Sequence, residues 1–250
     1  MRYFMFLMLI LGILGPASAG PMEALVAYKK GDYKTAFTEW VDLANHGMTR
    51  AQYYVGIMQI NGQGTESDPN SGARYIEMAA INGYAPAQHV FGMLYYNGQG
   101  VDKDLIRAYV WLSLAVLHGR KKAGIERDKV WWQMPPPQVA EARLKLADLV
   151  ADDRTGLGDD RKAAQIIKAL AETGHAEAQL RLAKLYFEGR GVTLDIIESY
   201  KWHTLSAFRG NIEAQATDAQ LQSHMTQKQI DEASSRAANW VPCRQGNNEC

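Results

Sequence analysis

Apolar residues in this chain recur at steps of three and four, and the pattern restarts at a fixed interval. In AQYYVGIMQINGQG, AQHVFGMLYYNGQG and AQLRLAKLYFEGRG, which open at Ala51, Ala87 and Ala178, they mark one helical face for about a dozen residues. A glycine loop ends each run, an Asp follows, and a second periodic run closes at another glycine. Gly47, Gly83 and Gly119 lie 36 residues apart, as do Gly174 and Gly210; Asp32, Asp68 and Asp104 keep the same spacing, as do Asp159 and Asp195. A larger duplication lies on top, since residues 68–149 match residues 159–240 without a gap at an offset of 91. Within it Gly98, Gly100, Val101, Tyr109, Trp111, Leu114 and Ala123 return as Gly189, Gly191, Val192, Tyr200, Trp202, Leu205 and Ala214. A repeat of this kind signals stacked units, none of which buries its apolar face alone.

Each unit reads as two helices. Gly56, Gly92 and Ala183 let helices approach closely, and the loop glycines supply left-handed backbone that ends the first helix. The in-register Asp offers an N-cap acceptor to the second helix, most clearly where Asp68 precedes Pro69. The glycine after His46, Asn82, His118 or Thr173 suits the C-cap. The loops are therefore helix punctuation. A phosphate-loop reading finds no following Gly-Lys-Ser/Thr and no preceding strand.

After Gly119 the units lengthen: residues 120–131 and 211–225 read as a longer helix, with Pro135–Pro137 and Thr226 setting the next start. No alternating strand pattern occurs. The expected fold is all-α, a right-handed α-solenoid of stacked helical hairpins with two longer helical units. The expected organisation is a leader over 1–19, a first module over 20–149, a joint over 150–158, a second module over 159–240 and a tail over 241–250.

Composition narrows the function. Of 250 residues, 27 are Lys or Arg and 27 are Asp or Glu, a balance without the basic excess expected of a nucleic-acid or anionic-lipid binder. Residues 1–19 differ in kind: Arg2, an apolar run from Phe4 to Leu14 interrupted only by Gly12, then small residues at Ala17–Ala19. That is the pattern of a secretory signal peptide, too short for a bilayer span, with an N-terminal anchor as the other reading. No Cys follows the cleavage point to carry a lipid. The expected location is exported, periplasmic first and secreted second, with no membrane insertion after cleavage. The two cysteines, Cys243 and Cys250, could close a small terminal loop or remain free thiols.

These residues resemble the Sel1-like repeats, relatives of the tetratricopeptide repeat. AQHVFGMLYYNGQGVDKDLIRAYVWLSLAVLHG from Ala87 is similar to that pattern throughout; the run from Ala51 departs at Gln59, and the run from Ala178 has Ala183 where Gly is usual. The entry segment GDYKTAFTEWVDLANHG and the segments PPPQVAEARLKLA and TQKQIDEASSRAA also resemble family members. The resemblance implies an adaptor or regulator that binds another protein or peptide, including envelope proteins and signalling components. Some cysteine-rich relatives are linked to β-lactam binding or hydrolysis, which implies the alternative of an envelope enzyme or binder acting on peptidoglycan or β-lactams. Those relatives carry a disulfide in each repeat, and no repeat here contains a cysteine.

No Ser-x-x-Lys, Lys-Thr-Gly, Gly-x-Ser-x-Gly or His-Glu-x-x-His motif occurs, so no catalytic residue, metal ligand or cofactor is assigned and the chain is read as no enzyme. His46, His118 and His175 read as helix-end residues, while His203 and His224 have no partner histidine at helical spacing. Asp152, Asp153, Asp159 and Asp160 read as a solvated joint, with a calcium site as the other possibility. Trp131 and Trp132 either close a core corner or stack on a sugar or proline-rich peptide. In related solenoids the first helices line the concave face. Helical spacing puts Tyr53, Ile57, His89, Met93, Tyr96, Arg181 and Lys184 between the packing positions there, as partner-binding candidates. The same residues could instead pack against the neighbouring unit. Partner identity and oligomeric state stay open.

Overall fold

The structure, a computed structural model, describes residues 20–243 apart from the side chain of Arg154. The leader over 1–19 and Cys250, and with Cys250 the terminal cysteine pairing, lie outside the described residues. Within them the chain forms thirteen α-helices, one short 3₁₀ turn at Asp153–Thr155, and no strand. They are α1 (Pro21–Lys30), α2 (Tyr33–Asn45), α3 (Thr49–Asn61), α4 (Pro69–Ile81), α5 (Ala85–Asn97), α6 (Leu105–Leu117) and α7 (Ala123–Trp131). There follow α8 (Pro136–Ala151), α9 (Asp160–Ala171), α10 (Ala176–Glu188), α11 (Ile196–Phe208), α12 (Ile212–Gln222) and α13 (Gln227–Ala238). Each helix packs on the next from α1 to α6, then α6 receives both α7 and α8, and the stack resumes from α8 through α11, which receives both α12 and α13. This is an α-solenoid in which α4 to α8 return as α9 to α13.

The caps follow the repeat. The carboxylates of Asp32, Asp68, Asp104, Asp159 and Asp195 each accept a backbone N–H in the first turn of the helix they precede, at 2.9–3.2 Å. Each contributes about 1 kcal/mol. In the capping box of α13, Thr226 and Gln229 exchange hydrogen bonds. The first helices begin two residues before the predicted Ala51, Ala87 and Ala178, with Met48, Tyr84 and His175 as their extended N-cap residues.

Both longer units are present, with one helix inside each of the spans 120–131 and 211–225, but that helix is shorter than its span. The chain turns at Arg120, whose N–H reaches back to the Ala115 carbonyl, and α7 then runs for only 9 residues. Its counterpart α12 has 11, whereas α8, started by the prolines, has 16. Each lengthened unit therefore carries an extra short helix laid beside the hairpin stack.

Two apolar clusters fill the interior. One joins Trp40, Val55 and Met58 in the first units; the other runs from Ala73 to Ala237 and crosses the joint without a break. Close helix approach depends on absent side chains: a Cβ on Gly92 would lie 2.7 Å from Leu112 Cγ. The helix α13 is more polar than its counterpart α8. Where α8 buries Ala140 and Leu144 under α9, α13 exposes Asp231 and Ser235.

Buried glutamines tie unit to unit. Gln52, Gln88 and Gln179 are at most 2% exposed. Gln88 Nε2 donates to the Ala80 carbonyl at the end of α4 (3.1 Å), and Gln179 Nε2 to Ala171 at the end of α9 (3.2 Å). His118 Nδ1 donates to Gln88 Oε1 at 2.8 Å, so one side chain joins three helices. Gln88→Ala leaves the buried Ala80 carbonyl without this donor and should lower stability by about 2 kcal/mol. Urea unfolding should show a lower midpoint with an unchanged slope.

Candidate functional site

The seven predicted partner-binding residues sit on three first helices, and every one already touches a neighbouring element. On α3, Tyr53 is half-buried with its ring edge-on to Tyr84 (5.4 Å between centroids), and Ile57 packs on the core. Burial, then Tyr84, raises the Tyr53 pKa. On α5, Met93 packs on the core, Arg120 Nε donates to His89 Nδ1 at 3.2 Å, and Gln133 Nε2 donates to the Tyr96 hydroxyl at 2.9 Å. On α10, Arg181 binds Glu177 (2.9 Å) and, across to α8, Asp148 (2.8 Å); exposed Lys184 binds Glu213 at the start of α12 (2.6 Å). The residues thus form no single cluster. The inserted helices α7 and α12 lean against α5 and α10 and engage part of the surface those helices present.

The two inserted helices do so differently, and that difference makes a site. Between α10, α11 and α12 lies an open slot of about 180 Å³ lined by Leu180, Lys184, Phe187, His203, Thr217 and His224, among others. In-register positions of the first module hold His89, Met93, Tyr96, Leu112, Glu126 and Gln133. Leu112 is fully buried there. In its place His203 is 3% exposed. Beside it Ser199 replaces Ala108 and satisfies its hydroxyl on the Ala183 carbonyl at 2.8 Å.

His203 has a defined protonation state. Burial lowers its pKa, Lys184 acts in the same direction, and Asp218 opposes them, so the imidazole is neutral at neutral pH. Thr217 donates its hydroxyl hydrogen to the Glu213 carbonyl, which leaves its oxygen to accept from His203 Nε2–H at 3.0 Å. In that tautomer Nδ1 is a buried lone pair with no donor, and the Asp218 carboxylate stands 3.5 Å away. At the rim, the Phe187 and His224 rings meet edge to face at 5.6 Å. The slot is therefore apolar-walled, with one unmatched buried acceptor and a Lys–Glu pair beside it.

The remaining sequence candidates are placed as follows. His46 and His118 are C-cap residues of α2 and α6, while His175 caps the N-terminus of α10 by accepting from Ala178 N–H. Asp159 caps α9 and is held acidic by Lys162, and Asp160 pairs with Arg190 at 3.2 Å. Among the described residues no group of three His, Cys, Asp or Glu is placed to hold a metal ion. The tryptophan pair divides: Trp131 packs edge-on to Tyr109 with Arg143 over its ring, whereas Trp132 is 87% exposed.

Residues 49–84, 85–119 and 176–211 each match the Sel1 repeat family, and the three spans coincide with α3–α4, α5–α6 and α10–α11. The chain carries three Sel1 repeats. Among solved structures it is similar to c5321, a protective antigen present in uropathogenic Escherichia coli strains and displaying an SLR fold, at 20% identity and a TM-score of 0.42. That match covers 86% of this chain and 51% of the antigen, so the chain spans about half the antigen's length. It is also similar to a Sel1 repeat protein from Oxalobacter formigenes, at 22% identity and a TM-score of 0.43, over 87% of this chain and 98% of the other. No curated protein matches the sequence.

Sel1 repeats are protein-interaction modules. No helix in the described residues is long and apolar enough to cross a membrane. The slot escaped sequence reasoning because the duplication was followed through its identities. Its signal lay in the exceptions: Leu112 against His203, Met93 against Lys184, and Ala108 against Ser199.

Proposed function

We propose that this chain is a non-enzymatic protein-binding module, periplasmic or secreted, that acts as adaptor or regulator of an envelope protein or signalling component. The slot beside α10 carries the reading. A repeat that needs only to stack would keep Leu112 at position 203; a buried histidine with an unmatched acceptor is a cost that a ligand group can offset. About 180 Å³ suits one side chain better than a whole small molecule, since small-molecule pockets run to roughly 300–1,000 Å³. Apolar walls and a waiting acceptor favour an aromatic side chain with an N–H or O–H at its tip, the type that anchors protein interfaces. The leader pattern over 1–19 supports export.

The test is crosslinking in intact cells with a tagged copy, followed by mass spectrometry of captured envelope proteins. One stoichiometric partner is expected, and Phe187→Ala or Lys184→Glu should reduce its capture at least about tenfold, the loss of a modest hot spot. Tyr53→Asp with Met93→Asp examines the first module's face separately. Capture that survives both slot substitutions would remove the slot from the account.

A further inference from the structure

The two modules place opposite charge on their inserted helices. Residues 120–132 hold five basic side chains against two acidic ones, whereas in-register residues 211–223 hold two acidic and no basic ones. Glu126 faces His89 at 3.8 Å, and Asp128 is taken by Arg127 at 2.7 Å. Lys121, Lys122 and Lys129 are exposed, and among the described residues their ammonium groups meet no carboxylate. Ile125, 64% exposed, stands between them, and Trp132, 87% exposed, follows Lys129. A step of four puts Ile125 and Lys129 on one side of α7, and Trp132, its C-cap seven residues after Ile125, continues that side; Lys121 and Lys122 stand in the turn that leads in. Pro135 and Pro136, just beyond, are exposed as well. In α12 the apolar pair is replaced by Ala216 and Ser223.

We infer that this ridge is a docking site for an anionic lipid surface, separate from the slot and on the other module. Lysines beside an exposed Trp and Ile match an interface that offers phosphates outside and acyl chain beneath, with the indole at headgroup depth. At 87% exposure Trp132 stands out from the surface, so a partner must surround the ring on nearly all sides. A fluid bilayer does so without shape complementarity, whereas a folded protein needs a matching pocket. The whole-chain charge balance conceals the ridge because the compensating carboxylates lie elsewhere. Each lysine near an anionic surface should multiply binding about fivefold.

The experiment uses the chain from Gly20, which retains every described helix, with vesicles of phosphatidylcholine alone or with phosphatidylglycerol. Co-sedimentation and a blue shift of tryptophan emission are expected only with the anionic vesicles, and both should weaken with salt. Ile125→Ala with Trp132→Ser, the residues of the in-register helix, should cut binding about tenfold by removing two exposed apolar anchors. Lys121→Gln, Lys122→Gln and Lys129→Gln together should cut it about a hundredfold, at roughly fivefold each. Circular dichroism checks that the variants keep their helix content. Equal binding to neutral vesicles, or variants that bind as the parent does, would overturn the inference. Binding of polyglutamate without binding of anionic vesicles would overturn it as well and give the ridge to an acidic polypeptide.

Discussion

Gly100→Ala is expected to lower stability by about 2–5 kcal/mol, although it adds one methyl group in a surface loop. Gly100 has φ +71°, which costs a residue with a Cβ about 1–2 kcal/mol. The larger part is a collision: the added Cβ would overlap the Pro69 carbonyl oxygen in the first turn of α4. That oxygen belongs to backbone and cannot swing aside, so the loop or the neighbouring unit must move, at about 1–3 kcal/mol. Gly119→Ala is the control, because its φ is +87° yet nothing lies within 4 Å of its Cβ position. It should cost only about 1–2 kcal/mol. By thermal unfolding at about 2–4 °C per kcal/mol, Gly100→Ala should fall by about 10 °C and the control by less than half as much. Equal losses would mean that the glycine loop ends a helix and does nothing further.

Exchanging the residues that distinguish the modules should move stability in opposite directions. Leu112→His places an imidazole where the parent residue is fully buried against Gly92. It loses about 2 kcal/mol of apolar burial and adds about 1–3 kcal/mol for an unpaired polar group, about 4 in all. His203→Leu should stabilise the chain, and more so in acid. The folded-state pKa of His203 lies below the usual imidazole value of 6.5, so the unfolded chain binds its proton first. Stability is therefore fully present above about pH 6.5 and is lost as pH falls from there through the depressed folded value. His89 and His175 are lowered by burial in the same way and keep part of that dependence. Melting temperatures from pH 7.5 to 5 should fall less steeply for His203→Leu than for the parent, and the same variant should lose partner capture. A parallel pH dependence would show that the buried imidazole does not set the slot's stability.

The sequence made the architecture readable because a repeat states each rule several times. The Asp caps and the glycine helix ends appear at every unit, and each is where the spacing put it. The second glycine of the loop was legible only as conformation. That Gly64, Gly100 and Gly191 lie on the carbonyls of Tyr33, Pro69 and Asp160 is a contact between units, invisible until the units are stacked. The added helices lie within the spans 120–131 and 211–225, but nothing in the residue pattern marks the turn at Arg120 that delays α7 to Ala123. Spacing proposes the candidate face, yet it cannot show that Tyr96 is met by Gln133, just after α7, or Lys184 by Glu213 in α12.

The most direct test of the slot as recognition site is a photo-crosslinking amino acid placed at Phe187 and, in a second strain, at the in-register Tyr96. Illumination of intact cells should give one discrete protein adduct from position 187 and none of that mass from position 96. No adduct from position 187, or the same adduct from both positions, would contradict the assignment of binding to the second module.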